Sequence, residues 1–237
     1  MVSERDLAVD GLFNIRDLGG LPRRGGGVTP SGVFARSEML ERVTPAGWRA
    51  LHEYGVRTVV DLRRADEVAA DPVAHPDWLT VLDVDVDDLA DEAFWAPYLD
   101  LIGTAVYYLP HLREKPDRTG AALAAIASAP PGGVLFHCGG GRDRTGMVAM
   151  LLLLLAGVEE EQIVADYLET VRNAPALWAA FDLENPEQQI EEVCRAHGTT
   201  NEQAFRDTVR GLDLAIYLDA AGISQDEQLL RSWRGSV

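Results

Sequence analysis

A short apolar strand, a turn of three glycines and a long apolar segment follow one another between residues 134 and 158. The pattern predicts a strand at residues 134–136 and a helix at about residues 144–156. The glycine turn therefore lies at a helix N-terminus, where unpaired backbone N–H groups and the positive end of the helix dipole attract anions. This arrangement predicts an α/β fold with an anion-binding loop.

The same loop carries reactive side chains, with five residues between Cys138 and Arg144. Backbone amides and a nearby guanidinium favour the thiolate form of a cysteine, which is its nucleophilic form. Arg144 has the planar fork that holds two phosphate oxygens at once, and glycines let the backbone approach a ligand closely. The residues predicted to bind the phosphoryl group are Gly139, Gly140, Gly141, Arg142 and Arg144.

On these residues the chain resembles the cysteine-dependent protein tyrosine phosphatase superfamily, and within it the atypical bacterial tyrosine phosphatases. The loop of that family usually reads HCxxGKDRTG, and this chain has HCGGGRDRTG. Residues 14–20, NIRDLGG, are similar to the family's NFRDLGG, and the resemblance runs from about residue 12 to about residue 233. It implies a central, mostly parallel sheet flanked by helices, with a helical C-terminal half that forms a lid in some members. Because no Pro/Ser-rich or charged linker divides the 237 residues, we predict one phosphatase domain over residues 1–237.

The resemblance implies hydrolysis of phosphomonoesters in two steps. Cys138 attacks phosphorus to give a cysteinyl-phosphate, which water then hydrolyses. Thr145 is expected to donate a hydrogen bond to the sulfur and make it a better leaving group in the second step. We interpret His137 as an orienting group that hydrogen-bonds the loop, and we expect neither a metal nor an organic cofactor.

Three carboxyl groups are candidates for the general acid that protonates the leaving oxygen. The resembling subfamily favours an aspartate inside the loop, directly before the arginine, and Asp143 matches it. Asp61 ends a buried strand, at the edge where α/β folds place functional groups. Asp117 follows a proline, as the acid often does elsewhere in the superfamily, but it also precedes an Ala-rich helix, where an N-cap role is the alternative.

Two upstream arginines are candidates for supporting roles. We interpret Arg16 as half of a local ion pair with Asp17 that ties down the N-terminal segment, with a place at the border of the phosphate pocket as the alternative. Arg36 belongs to a Gly-x-x-x-Arg-Ser element that is frequent in the family. It is a candidate to support the loop, with simple surface exposure as the alternative.

The loop departs from the family pattern at three positions. Arg142 stands where a lysine is usual, which keeps the charge but changes the donor geometry, so a preference for phosphoinositide head groups does not carry over. Gly139 and Gly140 replace larger residues. The smaller side chains predict a roomier mouth for the pocket.

The formal charge of −17, from 21 basic and 38 acidic residues, argues against nucleic acid or an anionic membrane as a partner. The expected activity is that of a protein-tyrosine or dual-specificity phosphatase, which acts on proteins phosphorylated on tyrosine and also on serine or threonine. A small phosphate ester such as a nucleotide, sugar or inositol phosphate is the alternative substrate. A non-catalytic phosphate-binding module and a rhodanese-like sulfur transferase are further alternatives. The sequence does not predict an oligomeric state.

The two cysteines and the polar N-terminus, which lacks a signal-like apolar segment, favour a cytoplasmic location. Cys194 is interpreted as a buried apolar residue, with a disulfide that protects Cys138 as the alternative. The apolar run at residues 147–158 is too short to span a bilayer and predicts a buried helix.

The remaining periodicity predicts further elements along the chain. Thr44 and Gly55 have the residue types that begin and end a helix, and Ser224 with Glu227 forms a capping-box pattern. Strands are predicted at residues 33–37, 56–62 and 81–86, and helices at residues 94–112, 119–129, 159–172, 185–198 and 202–221.

Overall fold

A five-stranded sheet lies at the centre of the computed structural model, which describes residues 5–223 and 226–233. The strand order is β1-β2-β5-β3-β4, and every pair is parallel except β1 with β2. The prediction of a mostly parallel sheet is therefore confirmed. The strands are β1 (Arg16–Asp17), β2 (Phe34–Ser37), β3 (Val56–Asp61), β4 (Thr80–Asp83) and β5 (Gly133–His137).

Helices cover both faces of this sheet. Alternate residues of a strand point to opposite faces, so Val134 and Phe136 of β5 join the larger core, while Leu135 joins the smaller one. The helices are α1 (Pro45–Tyr54), α2 (Ala65–Ala70), α3 (Glu92–Trp95), α4 (Tyr108–Glu114), α5 (Pro116–Ser128), α6 (Asp143–Leu155), α7 (Glu160–Ala180), α8 (Glu187–Ala196), α9 (Asn201–Gly211), α10 (Leu214–Ala220) and α11 (Glu227–Arg231).

Helix α6 is apolar around most of its circumference because other elements surround it. It contacts β2 and β5 of the sheet and the helices α5, α7 and α11. The residues from Met147 to Leu153 are all buried. Nowhere in the described parts of the chain is a helix both long enough and apolar enough to cross a membrane. The packing of α6 holds the loop at its N-terminus in a fixed position.

Two predicted helices are interrupted in the structure. The segment at residues 94–112 splits into α3, two 3₁₀ turns (Leu99–Leu101 and Ala105–Tyr107) and α4. Pro97 lies just past α3, and a proline disrupts a helix interior. Gly103 lies between the two turns with a left-handed φ of 93°, a value that a right-handed helix does not contain. The segment at residues 202–221 forms α9 and α10, because the Asp213 side chain accepts hydrogen bonds from Ala215 and Ile216 and begins a new helix.

Other boundaries differ less. Thr44 caps α1 through a bond from the Gly47 N–H, and Gly55 ends it with a left-handed φ of 105°, which confirms both signals. Strand β4 ends at Asp83, whose side chain is exposed as predicted. Helix α7 continues through Pro175 to Ala180, beyond the predicted end. Ser224 and the side chain of Glu227, which carry the predicted capping box, lie outside the described residues.

Candidate active site

The loop between β5 and α6 turns its carbonyl groups outward. The carbonyl oxygens of Gly139, Gly140 and Gly141 accept hydrogen bonds from groups behind the loop: the Met39 N–H at 2.8 Å, Asn14 Nδ2 at 3.2 Å and Arg36 Nη2 at 2.7 Å. In a trans peptide the next N–H points opposite to the carbonyl. The amides of residues 140–142 are thereby directed to the inner side of the loop, where a phosphate group would bind.

Gly141 is the loop position at which glycine is required. Its φ is +67°, and a Cβ there would lie 2.4 Å from the carbonyl oxygen of Ser37. Gly139 does not have this constraint, because no heavy atom lies within 4 Å of the position that a Cβ would take there.

Replacing Gly141 by alanine should therefore lower the free energy of unfolding by about 1–3 kcal/mol, through left-handed strain and overpacking. Gly139→Ala is the matched control and should change it by less than about 1 kcal/mol. Urea unfolding of the two variants measures the difference, and equal stabilities would contradict this account of the loop.

Cys138 lies at the floor of a cavity of about 320 Å³ and is 3% exposed. Thr145 Oγ1 donates a hydrogen bond to the cysteine Sγ over 3.2 Å. The first turn of α6 presents this hydroxyl directly beneath the loop. The structure thus brings together the predicted nucleophile and the group predicted to stabilise its thiolate.

Arg144 is held by a carboxylate that the sequence analysis did not identify. Its Nη1 and Nη2 donate to the two oxygens of Glu67, on α2, over 2.6 and 2.8 Å. Burial alone would lower the pKa of Arg144, but the bonds to Glu67 outweigh burial and raise it, so the guanidinium stays charged. A guanidinium has five N–H donors. The donors not used by Glu67 remain for a ligand in the cavity, which Arg144 lines.

Of the three candidate acids, Asp143 is the one that lines the cavity. Its Oδ1 accepts a hydrogen bond of 2.6 Å from the Tyr108 hydroxyl, and burial raises the pKa of Asp143 above its usual range. A raised pKa favours the protonated form, which an acid needs before it can donate.

Asp61 and Asp117 are placed differently. Burial would raise the pKa of Asp61, but the Arg63 side chain donates to both its oxygens and lowers it. Asp117 has a side chain that is 70% exposed and pairs with Arg118 at 3.4 Å. Because α5 begins at Pro116, Asp117 is not the N-cap that the sequence suggested.

Asp87 is a further carboxyl group near the site that sequence reasoning missed. It follows β4, and its Oδ2 lies 3.3 Å from Nη1 of Arg144. Burial raises its pKa to about 6. The signal in the sequence was weak, since Asp87 belongs to a run of aspartates at residues 83–88 that reads as a solvated strand end.

His137 bonds the loop and not the substrate side of the cavity. Its buried ring donates from Nδ1 to the carbonyl oxygen of Cys138 over 3.2 Å. Burial lowers the pKa of His137 to about 4, so the ring is neutral near pH 7. Both features are those of an orienting group.

Arg16 and Arg36 belong to a buried ion network behind the loop. Both bind Asp166 of α7, with Arg16 Nε at 3.0 Å and Arg36 Nη1 at 2.7 Å. The predicted local pair of Arg16 with Asp17 is wrong, because Asp17 instead accepts bonds from the Gly19 and Gly32 amides and from a tyrosine hydroxyl. Arg16 is fully buried behind the loop, away from the pocket border that was its alternative place.

The C-terminal helices cover the mouth of the cavity. Arg142 of the loop forms a two-pronged ion pair with Glu187 of α8. The Trp178 ring, on α7, lies 3.2 Å from where a Cβ on Gly140 would stand. The roomier mouth predicted from the small residues is therefore wrong at Gly140, where Trp178 takes the space, although Gly139 leaves its own side open.

Cys194, on α8, is fully buried, and its Sγ lies 3.9 Å from Asn201 Oδ1. Both cysteines are free thiols. The buried apolar interpretation of Cys194 agrees with this placement.

Comparison with known proteins gives one family. A sequence model described as the tyrosine phosphatase family matches residues 7–232. A tyrosine-protein phosphatase of Nostoc commune is 36% identical over 145 residues, which are 58% of this chain and 48% of that protein. The triple specificity protein phosphatase PtpB of Mycobacterium tuberculosis is 30% identical over 248 residues, covering 92% of this chain and 87% of the relative.

The chain spans about half of the length of the Nostoc protein. Among solved structures, TpbA of P. aeruginosa is 19% identical, with a TM-score of 0.38, over 80% of this chain and 86% of that one.

Proposed function

The chain belongs to the tyrosine phosphatase family, and we propose that it hydrolyses phosphomonoesters, with phosphotyrosine side chains of proteins as its substrates. The observation that carries this proposal is the placement of Cys138. Its sulfur lies in a cavity beneath inward-directed amides, 3.2 Å from the Thr145 hydroxyl, with Arg144 at the cavity wall.

In the first step the Cys138 thiolate attacks phosphorus, and an S–P bond forms as the P–O bond to the leaving group breaks. The loop amides and the free donors of Arg144 bind the phosphoryl oxygens, whose charge they stabilise in the transition state. Asp143 gives its proton to the leaving oxygen. Since Tyr108 donates to Oδ1 of Asp143, the transferable proton is carried by Oδ2.

In the second step a water molecule attacks the cysteinyl-phosphate. Asp143, now a carboxylate, takes a proton from the water, the S–P bond breaks, and inorganic phosphate leaves. The Thr145 hydroxyl stabilises the departing thiolate through its bond to Sγ. Neutral His137 holds the carbonyl of Cys138 and so fixes the start of the loop.

The assignment of the acid has a direct test. Asp143→Asn should lower kcat for phenyl phosphate, which has a poor leaving group, by about 100-fold or more, and para-nitrophenyl phosphate should be affected much less. A general acid must be protonated, so kcat of the parent enzyme should fall as pH rises through the pKa of Asp143. The variant should lose that decline.

Asp117→Asn is the matched control and should keep full activity, because Asp117 is exposed on α5. If Asp143→Asn kept its activity on phenyl phosphate while Asp87→Asn lost it, the acid would be Asp87, whose pKa near 6 also suits the role.

The same chemistry supports a cytoplasmic place of action. A thiolate nucleophile works only while it is reduced, and the cytoplasm keeps thiols reduced. Cys138 and Cys194 are both free in the structure. The net charge of −17 disfavours nucleic acids and anionic membranes as binding partners.

A further inference from the structure

The cations of the cavity are already paired within the fold. Among the described residues that line it, the basic side chains are Arg142 and Arg144. Glu187 binds both Nη atoms of Arg142, and Glu67 binds both Nη atoms of Arg144. The loop amides and the remaining Arg144 donors serve one phosphoryl group, next to the sulfur. A second phosphate group on the same substrate would find no unpaired basic side chain in this wall.

The mouth of the cavity carries negative charge and apolar surface. Asp100 is exposed and lines the cavity, and Glu187 neutralises Arg142, which also lines it. The remaining wall is largely apolar, with Ile102, Trp178 and Ile190 among its members. The whole chain adds a net charge of −17. A flat apolar ring fits this wall, whereas a group with further phosphates meets the Asp100 carboxylate and an arginine that Glu187 already neutralises.

We infer that the cavity accepts a single phosphate on an apolar ring and discriminates against substrates with a second phosphate nearby, and that Asp100 and Glu187 set this discrimination. The inference rests on the proposed phosphatase function and names a property of the same site. Arg142 in place of the usual lysine supports it, since its planar fork matches the Glu187 carboxylate in two-pronged geometry.

The test compares kcat/KM for a phosphotyrosine peptide, an inositol monophosphate and an inositol trisphosphate, at one ionic strength. The enzyme should hydrolyse the trisphosphate with a kcat/KM at least tenfold below that of the monophosphate. Asp100→Asn and Glu187→Gln should each reduce this ratio at least threefold, the second by releasing Arg142. Added salt should also reduce the ratio, because it screens the mouth carboxylates.

Asp219→Asn is the charge-matched control, since Asp219 is exposed on α10 and does not line the cavity. It should leave the ratio unchanged. Equal kcat/KM values for the two inositol phosphates, or a ratio that neither variant alters, would overturn the inference and leave the phosphatase function standing. Absence of hydrolysis for all three substrates would overturn the proposed function, and this inference with it.

Discussion

Replacing Cys138 by serine should lower phosphomonoester turnover by about 10,000-fold or more, the loss typical of removing a nucleophile. A serine hydroxyl at this position is not ionised near neutral pH, and it is a much weaker nucleophile than a thiolate. Among the described residues, the side-chain hydrogen bond to the sulfur comes from the Thr145 hydroxyl, which donates, and His137 is turned to the backbone. Steady-state hydrolysis of para-nitrophenyl phosphate measures the effect.

The loop should survive this change, because serine is close to cysteine in size and the glycine carbonyls keep their external donors. The variant should therefore still bind phosphate or phosphotyrosine peptide, as calorimetry would show. Cys194→Ser is the control for loss of a buried thiol. It should retain activity, because the Cys194 thiol contacts Asn201 on α9 and not the phosphate-binding loop. Activity in Cys138→Ser near that of the parent would remove the basis of the mechanism.

Replacing Asp166 by asparagine should lower the free energy of unfolding by about 3–5 kcal/mol. Asp166 is buried and binds Arg5, Arg16 and Arg36 at 2.9, 3.0 and 2.7 Å. Burial alone would raise the pKa of Asp166, but the three guanidinium groups outweigh it and hold the pKa well below its usual range. Asparagine keeps the shape but leaves buried positive charges without a counter-ion.

Thermal unfolding should show this loss as a decrease in Tm of about 6 to 20 °C for a chain of this size. A group with a depressed pKa stabilises the fold above its unfolded pKa and loses that contribution as pH falls through its folded pKa. The stability difference between parent and variant should therefore be full at neutral pH and shrink only in strong acid.

Glu169→Gln is the matched control, because Glu169 lies one turn further along α7 and pairs with the exposed Arg172. The Arg172 side chain is 58% exposed, and a pair with one partner in solvent contributes about 0–1 kcal/mol. Equal destabilisation by the two substitutions would contradict the role of Asp166 as the centre of the network. Loss of Asp166 should also reduce activity, since Arg36 donates to the carbonyl of Gly141.

The sequence was sufficient for the loop itself, because its parts are contiguous. A strand, three glycines and an apolar helix identify the anion site, and Cys138, Arg144 and Thr145 lie within eight residues of one another. The family resemblance is confirmed by the match over residues 7–232. The mostly parallel sheet could also be predicted, because β-branched strands without alternation indicate a sheet that is covered on both faces. The strand pairing confirms that prediction.

The partners of the loop were beyond the reach of sequence patterns. Glu67 binds Arg144 from 77 positions away, and Asp166 binds Arg16 from 150 positions away. Such pairs have no sequence period, and 38 acidic residues offer many equivalent choices. Trp178 over Gly140 was missed for the same reason, because the packing of α7 against the loop is a tertiary feature.

The interrupted helices are a different case. Pro97 and Gly103 are visible in the sequence, but the apolar spacing around them suggested one continuous helix. The break brings Asp100 and Ile102 into the cavity wall, which a continuous helix pattern did not predict.

A covalent phosphate on Cys138 is the central intermediate of the proposed mechanism. Thr145→Ala should slow the second step about tenfold or more, because a hydrogen bond to a charged group is lost. The cysteinyl-phosphate intermediate should therefore accumulate. Acid quenching of this variant during turnover, followed by mass spectrometry of the peptide with Cys138, should show a phosphoryl adduct on that cysteine. Turnover that proceeds with Cys138 unmodified throughout, or with the phosphate on another residue, would contradict the account.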